Sequence, residues 1–267
     1  MRLLVTGSEG FVGRHAVAAA RAAGHDLREW DLLLDDDMAE GSVHSFDAVI
    51  NCAGVAGVGR SFRDPEDYWR NNAWAAAALF ASARRERVPV VHCSSSLAPF
   101  PSHSPYAASK SAAELAAAFE NVQGGDVRVV RIHNVYGPGQ PSSFIVPRFL
   151  EIARGGGAFP IEGGGRVRKD YVYVADVADA LLAALGAPPG VYHAATGVVY
   201  APREVAALAA SLCGLATRFE EAAAPPWRAA DPETPADFTA WKGRWRARTA
   251  LAEGMRLTRD AMLAKEK

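Results

Sequence analysis

The chain has 267 residues and a mass of 28.4 kDa, with 49% hydrophobic and 22% charged residues and a formal net charge of −1. That length suits one large or two small domains around a sizeable core. The near-zero charge gives no basis for nucleic acid or an anionic membrane as partner, and no apolar run reaches the ~18–20 residues of a membrane span. Cys52, Cys93 and Cys213 are scattered, odd in number and without metal-ligand spacing. They predict a reduced protein with no disulfide and no structural zinc. The start, Met1 to Val5, runs too soon into glycine for a secretory signal, so the expected location is cytoplasmic.

From the N-terminus, Arg2 to Thr6 is an apolar run that predicts a buried parallel strand. It leads into Gly7-Ser8-Glu9-Gly10-Phe11-Val12-Gly13 and an alanine-rich helix closed by Gly24. In such a loop the first glycine permits a tight turn. The second lets the backbone approach a pyrophosphate, and the third lets helix pack on strand. The helix N-terminus then offers free N–H groups and a partial positive charge to phosphate. Asp31 follows a second strand, Leu27 to Trp30, where its carboxylate can accept both ribose hydroxyls of an adenosine and would repel a 2′-phosphate. That favours NAD over NADP.

The polar piece after Asp31, with three aspartates at 35–37, reads as a solvated turn and is too short for a full helix and strand. Asp47 to Asn51 is the next strand, ending in Cys52-Ala53-Gly54, where small residues let backbone lie close to a ligand. A long helix is predicted from Pro65 to Arg87, carrying Asn71 and Asn72. A strand from Val88 to Cys93 delivers Ser94-Ser95-Ser96 at its carboxyl end, where open parallel sheets bind ligands. Then come a proline-rich turn, a helix holding Tyr106 and Lys110, and a strand from Val127 to Ile132. The alternation predicts an α/β fold with a doubly wound, Rossmann-like parallel sheet.

Residues 1–140 are expected to form the dinucleotide-binding domain. Residues 141–267 are expected to form mainly a small, interleaved substrate-binding region, with the elements at about 170–200 returning to the main domain. In the latter part, short strands are predicted at Phe159 to Ile161 and near Val191, with helices from about Asp176, Pro202 and Thr249.

Tyr106 and Lys110 are four residues apart, which on a helix puts both side chains on one face. A phenol has an ordinary pKa of about 10 and is a poor base at neutral pH. Lowering it by about 3 units takes roughly 4 kcal/mol, which one positive charge at 4 Å supplies only at an effective dielectric near 20. The pair therefore needs a partly closed cleft and, preferably, a second positive charge such as an oxidised nicotinamide ring.

These stretches together resemble the extended short-chain dehydrogenase/reductase superfamily, in its NAD-dependent sugar epimerase/dehydratase branch. The resemblance is carried by Thr6-Gly7-x-x-Gly10-x-x-Gly13, Cys52-Ala53-Gly54 through Asn72, Tyr106-x-x-x-Lys110, Arg131-x-x-Asn134-Val135-Tyr136-Gly137-Pro138-Gly139 and Asp170-Tyr171 through Val177. It implies NAD as cofactor, bound by Gly7, Glu9, Gly10, Phe11, Val12, Gly13, Asp31, Cys52, Ala53, Gly54, Asn71, Tyr106, Lys110 and His133. Tyr106 would be the acid/base, Lys110 would lower its pKa and hold the nicotinamide ribose, and Ser96 would hydrogen-bond the reacting oxygen. The substrate, expected to be a nucleotide sugar, would meet Ser96, Asn134, Lys169 and Arg228. As in relatives, the alanine-rich helices bearing Asn72 and Lys110 would pair across a homodimer.

The chain departs from the branch at several points: Pro99-Phe100-Pro101 replace the usual Val-Tyr-Gly after the serine, and the piece after Asp31 is clipped. The loop from Ser96 to Tyr106 is short, Leu97-Ala98 stand where sugar dehydratases carry an Asp-Glu pair, and Lys169 stands where arginine is typical. The expectation is an NAD-dependent epimerase of a nucleotide-linked sugar. The alternatives are a reductase of a small carbonyl substrate and a non-catalytic dinucleotide sensor.

Overall fold

The computed structural model describes residues 1–31, 43–225 and 231–264. The aspartates at 35–37 lie outside the described residues. Strand β1 (Arg2–Thr6) runs through the phosphate-loop turn into α1 (Phe11–Ala22), and β2 (Asp26–Trp30) returns beside it. After β3 (Ala48–Asn51) come two short helical turns, α2 (Val58–Ser61) and α3 (Pro65–Tyr68). The segment predicted as one helix is subdivided: α3 passes through a π-helical segment, Trp69–Trp74, into α4 (Ala75–Glu86). Next are β4 (Val90–Ser95), α5 (Pro105–Val122) and β5 (Val127–Ile132). The strand read as Val88 to Cys93 thus starts and ends two residues later.

The remaining elements are β6 (Asn134–Tyr136), α6 (Ile145–Arg154), β7 (Phe159–Glu162), β8 (Lys169–Tyr173) and α7 (Val174–Leu185). They are followed by β9 (Gly190–Ala194), β10 (Val199–Tyr200), α8 (Pro202–Leu212), β11 (Phe219–Ala222) and α9 (Leu251–Ala264).

The main sheet has six parallel strands in the order β2-β1-β3-β4-β5-β9. Parallel strands buried on both faces need apolar residues without alternation; Leu3, Leu4, Val5, Val49, Ile50, Val90 and Val91 are fully buried. One face is covered by α1 and α7 through Ala16, Val17, Ala20, Val177, Leu181 and Ala184. The other is covered by α4 and α5 through Leu79, Phe80, Ala83, Ala113 and Ala117. Among the described residues β2 is one edge of the sheet, and its exposed Asp26, Arg28 and Glu29 discourage pairing with another chain. β9 lies past residue 185 yet pairs with β5, so the chain returns to the main sheet after building α6, β7 and β8.

A second core gathers α6, α8 and α9 around Phe149, Phe159, Val205 and Met255. It carries a three-stranded sheet β10-β8-β6 and the parallel pair β11-β7. No described helix is long and apolar enough to cross a membrane.

Candidate active site

The glycine loop is closed by its own backbone. Gly7 N–H donates to Trp30 O at 2.8 Å and Gly10 N–H to Gly7 O at 3.1 Å. Gly7 has φ +65°, and a Cβ there would lie 2.6 Å from the Ala53 backbone; at Gly13 a Cβ would lie 1.9 Å from Gly7 O. These clashes are with backbone, so neither position accepts a side chain. Gly10 caps α1 with no side-chain acceptor, and no acid sits in the first turn. The helix therefore presents unneutralised N–H donors at its start, which suits a pyrophosphate. Asp31 Oδ1 accepts from Glu9 N at 3.1 Å, so the carboxylate at the end of β2 is tied to the same loop. The residues present thus fit a dinucleotide.

The Cys52-Ala53-Gly54 segment abuts that loop, with Cys52 N–H donating to Thr6 O at 3.0 Å. Of the two asparagines, Asn72 ties this wall to α5. Asn72 accepts from Val55 N at 2.7 Å and donates to Val55 O at 3.0 Å and Ser109 Oγ at 3.1 Å. Asn71 instead donates to Asp67 O, within its own helix, at 2.8 Å. The π segment is the reason: its wider turn shifts which of two adjacent side chains leaves the helix face.

Lys110 is buried, with Nζ donating to Cys93 O at 2.9 Å and standing 3.3 Å from where a Cβ on Gly54 would be. Burial lowers its pKa. Ser104 caps α5 by accepting from Ala107 N at 3.1 Å, which fixes the first turn that carries Tyr106. Tyr106 packs edge-on to Tyr68 with ring centroids 6.1 Å apart. Its phenol is pushed up, not down, because burial outweighs the hydrogen bond from Ser95 that pulls it back. The expected lowering by Lys110 is therefore not a property of the polypeptide alone; desolvation wins until further positive charge arrives.

The serines divide their roles. Ser94 Oγ donates to Glu114 Oε1 at 2.6 Å, and Glu114 is held at both oxygens by Arg131 at 2.6–3.1 Å. Ser95 meets Tyr106 and also accepts from Leu97 N at 3.2 Å. Ser96 is buried, its backbone N–H donates to Ile132 O at 3.0 Å, and its hydroxyl makes no hydrogen bond among the described residues. Sequence reasoning missed Ser95 because it ended the strand at Cys93; with β4 running to Ser95, that side chain is the last of the pleat. Glu114 and Arg131 were also missed, although Glu114 stands four residues after Lys110 on the same helix face.

His133 Nε2 lies 3.2 Å from His193 Nδ1, while its Nδ1 is buried without a hydrogen-bond partner among the described residues. Burial and the nearby His193 and Lys169 pull its pKa down to about 3. Asn134 Nδ2 donates to Asp170 O at 3.1 Å, and Lys169 Nζ donates to Pro232 O at 3.1 Å. Arg228 lies outside the described residues.

A parallel sheet with a glycine turn at the start of α1, an acid at the end of β2 and a Tyr–Lys pair on α5 suits a dinucleotide-dependent enzyme. The family model for the NAD dependent epimerase/dehydratase family matches residues 3–195, and the chain belongs to that family. It is an enzyme family, and its cofactor is NAD. A dTDP-glucose 4,6-dehydratase from Streptomyces niveus is 29% identical over 80% of this chain and 78% of its own length. A UDP-glucose 4-epimerase from Corynebacterium glutamicum is 26% identical over 88% and 86%. A GDP-6-deoxy-D-mannose reductase from Pseudomonas aeruginosa is 32% identical over 79% and 80%. Among solved structures, the Thermus thermophilus UDP-glucose 4-epimerase complex with NAD superimposes with a TM-score of 0.84 at 27% identity, covering 98% of this chain and 99% of that one. The Thermotoga maritima UDP-glucose 4-epimerase with UDP-glucose gives 0.87 at 25% identity, covering 100% of both.

Proposed function

We propose that the enzyme is an epimerase of a nucleotide-linked sugar, with Tyr106 as acid/base. The observation that carries this reading is the composition of the site around Tyr106. The two residues after Ser96 are Leu97 and the buried Ala98, so the carboxylate pair that removal of water would need is missing. Dehydration is disfavoured on that ground.

Bound NAD supplies the hydride acceptor and a positively charged ring. Tyr106 takes the proton of the sugar hydroxyl and gives one back, and the Ser95 hydrogen bond stabilises the phenolate while it lasts. Ser96, whose hydroxyl makes no hydrogen bond among the described residues, is assigned to the reacting oxygen. Lys110, fixed by Cys93 O, supplies the charge that complements the phenolate, and Asn72 keeps Gly54 and Val55 against the cofactor. Asn134, Lys169 and Arg228 are assigned to the substrate.

The test is conversion of UDP-glucose and UDP-galactose, followed by proton NMR with catalytic NAD. Tyr106→Phe should keep NAD affinity and lose turnover by about 10²–10⁴-fold, the worth of a general acid/base. An active Phe variant would refute the assignment. A second reading, reduction of a keto-sugar, is favoured by the Pseudomonas aeruginosa reductase at 32% identity; stoichiometric loss of NADH would select it, because an epimerase regenerates its cofactor.

The chain is further proposed to self-associate through the outer faces of the π segment, α4 and α5. Trp69, Trp74, Leu115, Phe119 and Val122 are 46%, 73%, 70%, 60% and 83% exposed there. Alanines 73, 77 and 112 and two of these tryptophans line a shallow depression among them, which lets a second copy's helices approach closely.

A further inference from the structure

Helix α5 is fastened to the end of β4 by side chains that recur every fourth residue. Tyr106, Lys110 and Glu114 share one face of the helix, and each meets one of three consecutive residues, Cys93 to Ser95. The Ser95 hydroxyl hydrogen-bonds Tyr106, Lys110 Nζ donates to Cys93 O at 2.9 Å, and Ser94 Oγ donates to Glu114 Oε1 at 2.6 Å. Arg131 closes the third contact from the neighbouring strand. It is the β5 residue paired with Ser94, and its guanidinium donates to both oxygens of Glu114, with Nη2 to Oε2 at 2.6 Å. Such a fork fixes direction as well as distance. The side chains of Glu114 and Arg131 are only 11% and 22% exposed.

Lys110 is buried as well, and burial works against its positive charge. Glu114, one turn further along the same face, works the other way. The other ionisable groups that face Lys110 are Tyr106 on its own helix, Cys52 after β3, and His92 and Cys93 on β4. Cys52 stays a thiol, its ionisation pushed well up by its contact with Cys93 and by burial, so it brings no negative charge. Glu114 itself faces Arg131 on β5 and His193 on β9, and both members of the ion pair act on that histidine.

We propose that Glu114 is a positioning residue for the Tyr106–Lys110 pair. Clamped by Arg131 and Ser94, it seats α5 on the ends of β4 and β5 and sets a fixed negative charge one turn from the buried ammonium. Removing that carboxylate leaves Arg131 as an unbalanced cation in the same half-buried place, and Lys110 then gives up its proton more readily. Removing Arg131 instead turns the full field of Glu114 toward Lys110, which holds its proton harder. These opposite signs separate charge placement from packing, because lost packing would loosen α5 in both variants. The contacts stand by themselves; that the pair acts on a sugar rests on the function proposed above.

The experiment is carbon-13 NMR of the lysine Cε signals, titrated from about pH 7 to about pH 11 on the full chain carrying labelled lysine. The other lysines are Lys169, Lys242, Lys265 and Lys267, so the Lys110 signal is identified by its loss in Lys110→Arg. Glu114→Gln, which keeps the shape and an acceptor for Arg131, should lower the Lys110 midpoint by about one pH unit. Glu114→Asp, which keeps the charge, should lower it less, and Arg131→Gln should raise it. With UDP-glucose and NAD, the alkaline limb of kcat should move down with the midpoint in Glu114→Gln, while KM at neutral pH stays within about twofold. A midpoint unmoved in Glu114→Gln overturns the proposal. So does one moved the same way by Glu114→Gln and Arg131→Gln, or an alkaline limb that stays put while the midpoint moves. Should one of the two variants not fold, the sign of the shift in the other decides. If the wild type converts neither UDP-glucose nor UDP-galactose, the epimerase reading fails, and the lysine titration still decides this proposal.

Discussion

At the residue scale, the site is governed by a contest between burial and charge. Tyr106 is raised by burial and lowered by the Ser95 hydrogen bond, so as the chain stands the phenol is the more stable form. A positive charge at about 4 Å would supply roughly 4 kcal/mol at an effective dielectric near 20, about 3 units. The acid/base role proposed for Tyr106 would therefore depend on bound cofactor. Asp31 gives a second prediction. The wild type should bind NAD well ahead of NADP, and Asp31→Ala should narrow that ratio, because the repulsion of a 2′-phosphate is removed; calorimetry with both cofactors is the check. A third prediction concerns acid stability. His133 stays neutral in the fold down to a pKa of about 3, whereas an unfolded histidine protonates near 6.5. Between those values the unfolded chain binds more protons. The contribution of His133 is therefore fully present above about pH 6.5 and lost as pH falls toward 3, at up to about 1.4 kcal/mol per pH unit. Thermal melts of the wild type and His133→Phe from pH 7 to pH 4 should show a shallower decline in the variant.

At the element scale, three short pieces of backbone determine where the chemistry can happen. The turn from β1 to α1 tolerates no side chain at Gly13. Gly13→Ala should displace Gly7 and weaken NAD binding by more than tenfold, since the Cβ would sit 1.9 Å from Gly7 O with only backbone to yield. Retained NAD affinity in that variant, measured by nucleotide fluorescence, would mean the loop is not the cofactor cradle. This turn was legible from residue types and order, because glycine spacing reports backbone geometry directly. The π segment was not legible. Asn71 and Asn72 are chemically identical neighbours, and only the winding of the helix sends Asn72 to Val55 and Ser109 while Asn71 bonds within its own helix. The phase of β4 was hidden for the same reason. Three consecutive serines carry no alternation, so a two-residue shift in the strand's end went unmarked.

At the scale of the whole molecule, one sheet and one smaller layer meet over the carboxyl ends of β4 and β5. The return of β9 to the main sheet pins the second core against the first, and Trp241 seals the junction by donating to His193 O at 2.9 Å. The exposed aromatic and aliphatic side chains of the π segment, α4 and α5 form the surface proposed for self-association. Sedimentation of the wild type should give twice the 28.4 kDa chain mass. Trp74→Glu combined with Leu115→Glu should give one chain mass with the far-UV spectrum preserved, and a wild type sedimenting as a single chain would refute the interface.

Read as residues in order, the chain already determined a parallel α/β sheet, a phosphate-binding turn, an acid suited to ribose and a Tyr–Lys pair on one helix face. Each of these depends on local spacing, and spacing is what a linear chain records. Only the folded molecule decided that Asn72 rather than Asn71 bonds to Val55 and Ser109, and that burial raises the Tyr106 phenol. Those depend on desolvation and on contacts between residues far apart in sequence, as with Asn72 and Ser109, and neither exists until the chain has closed on itself.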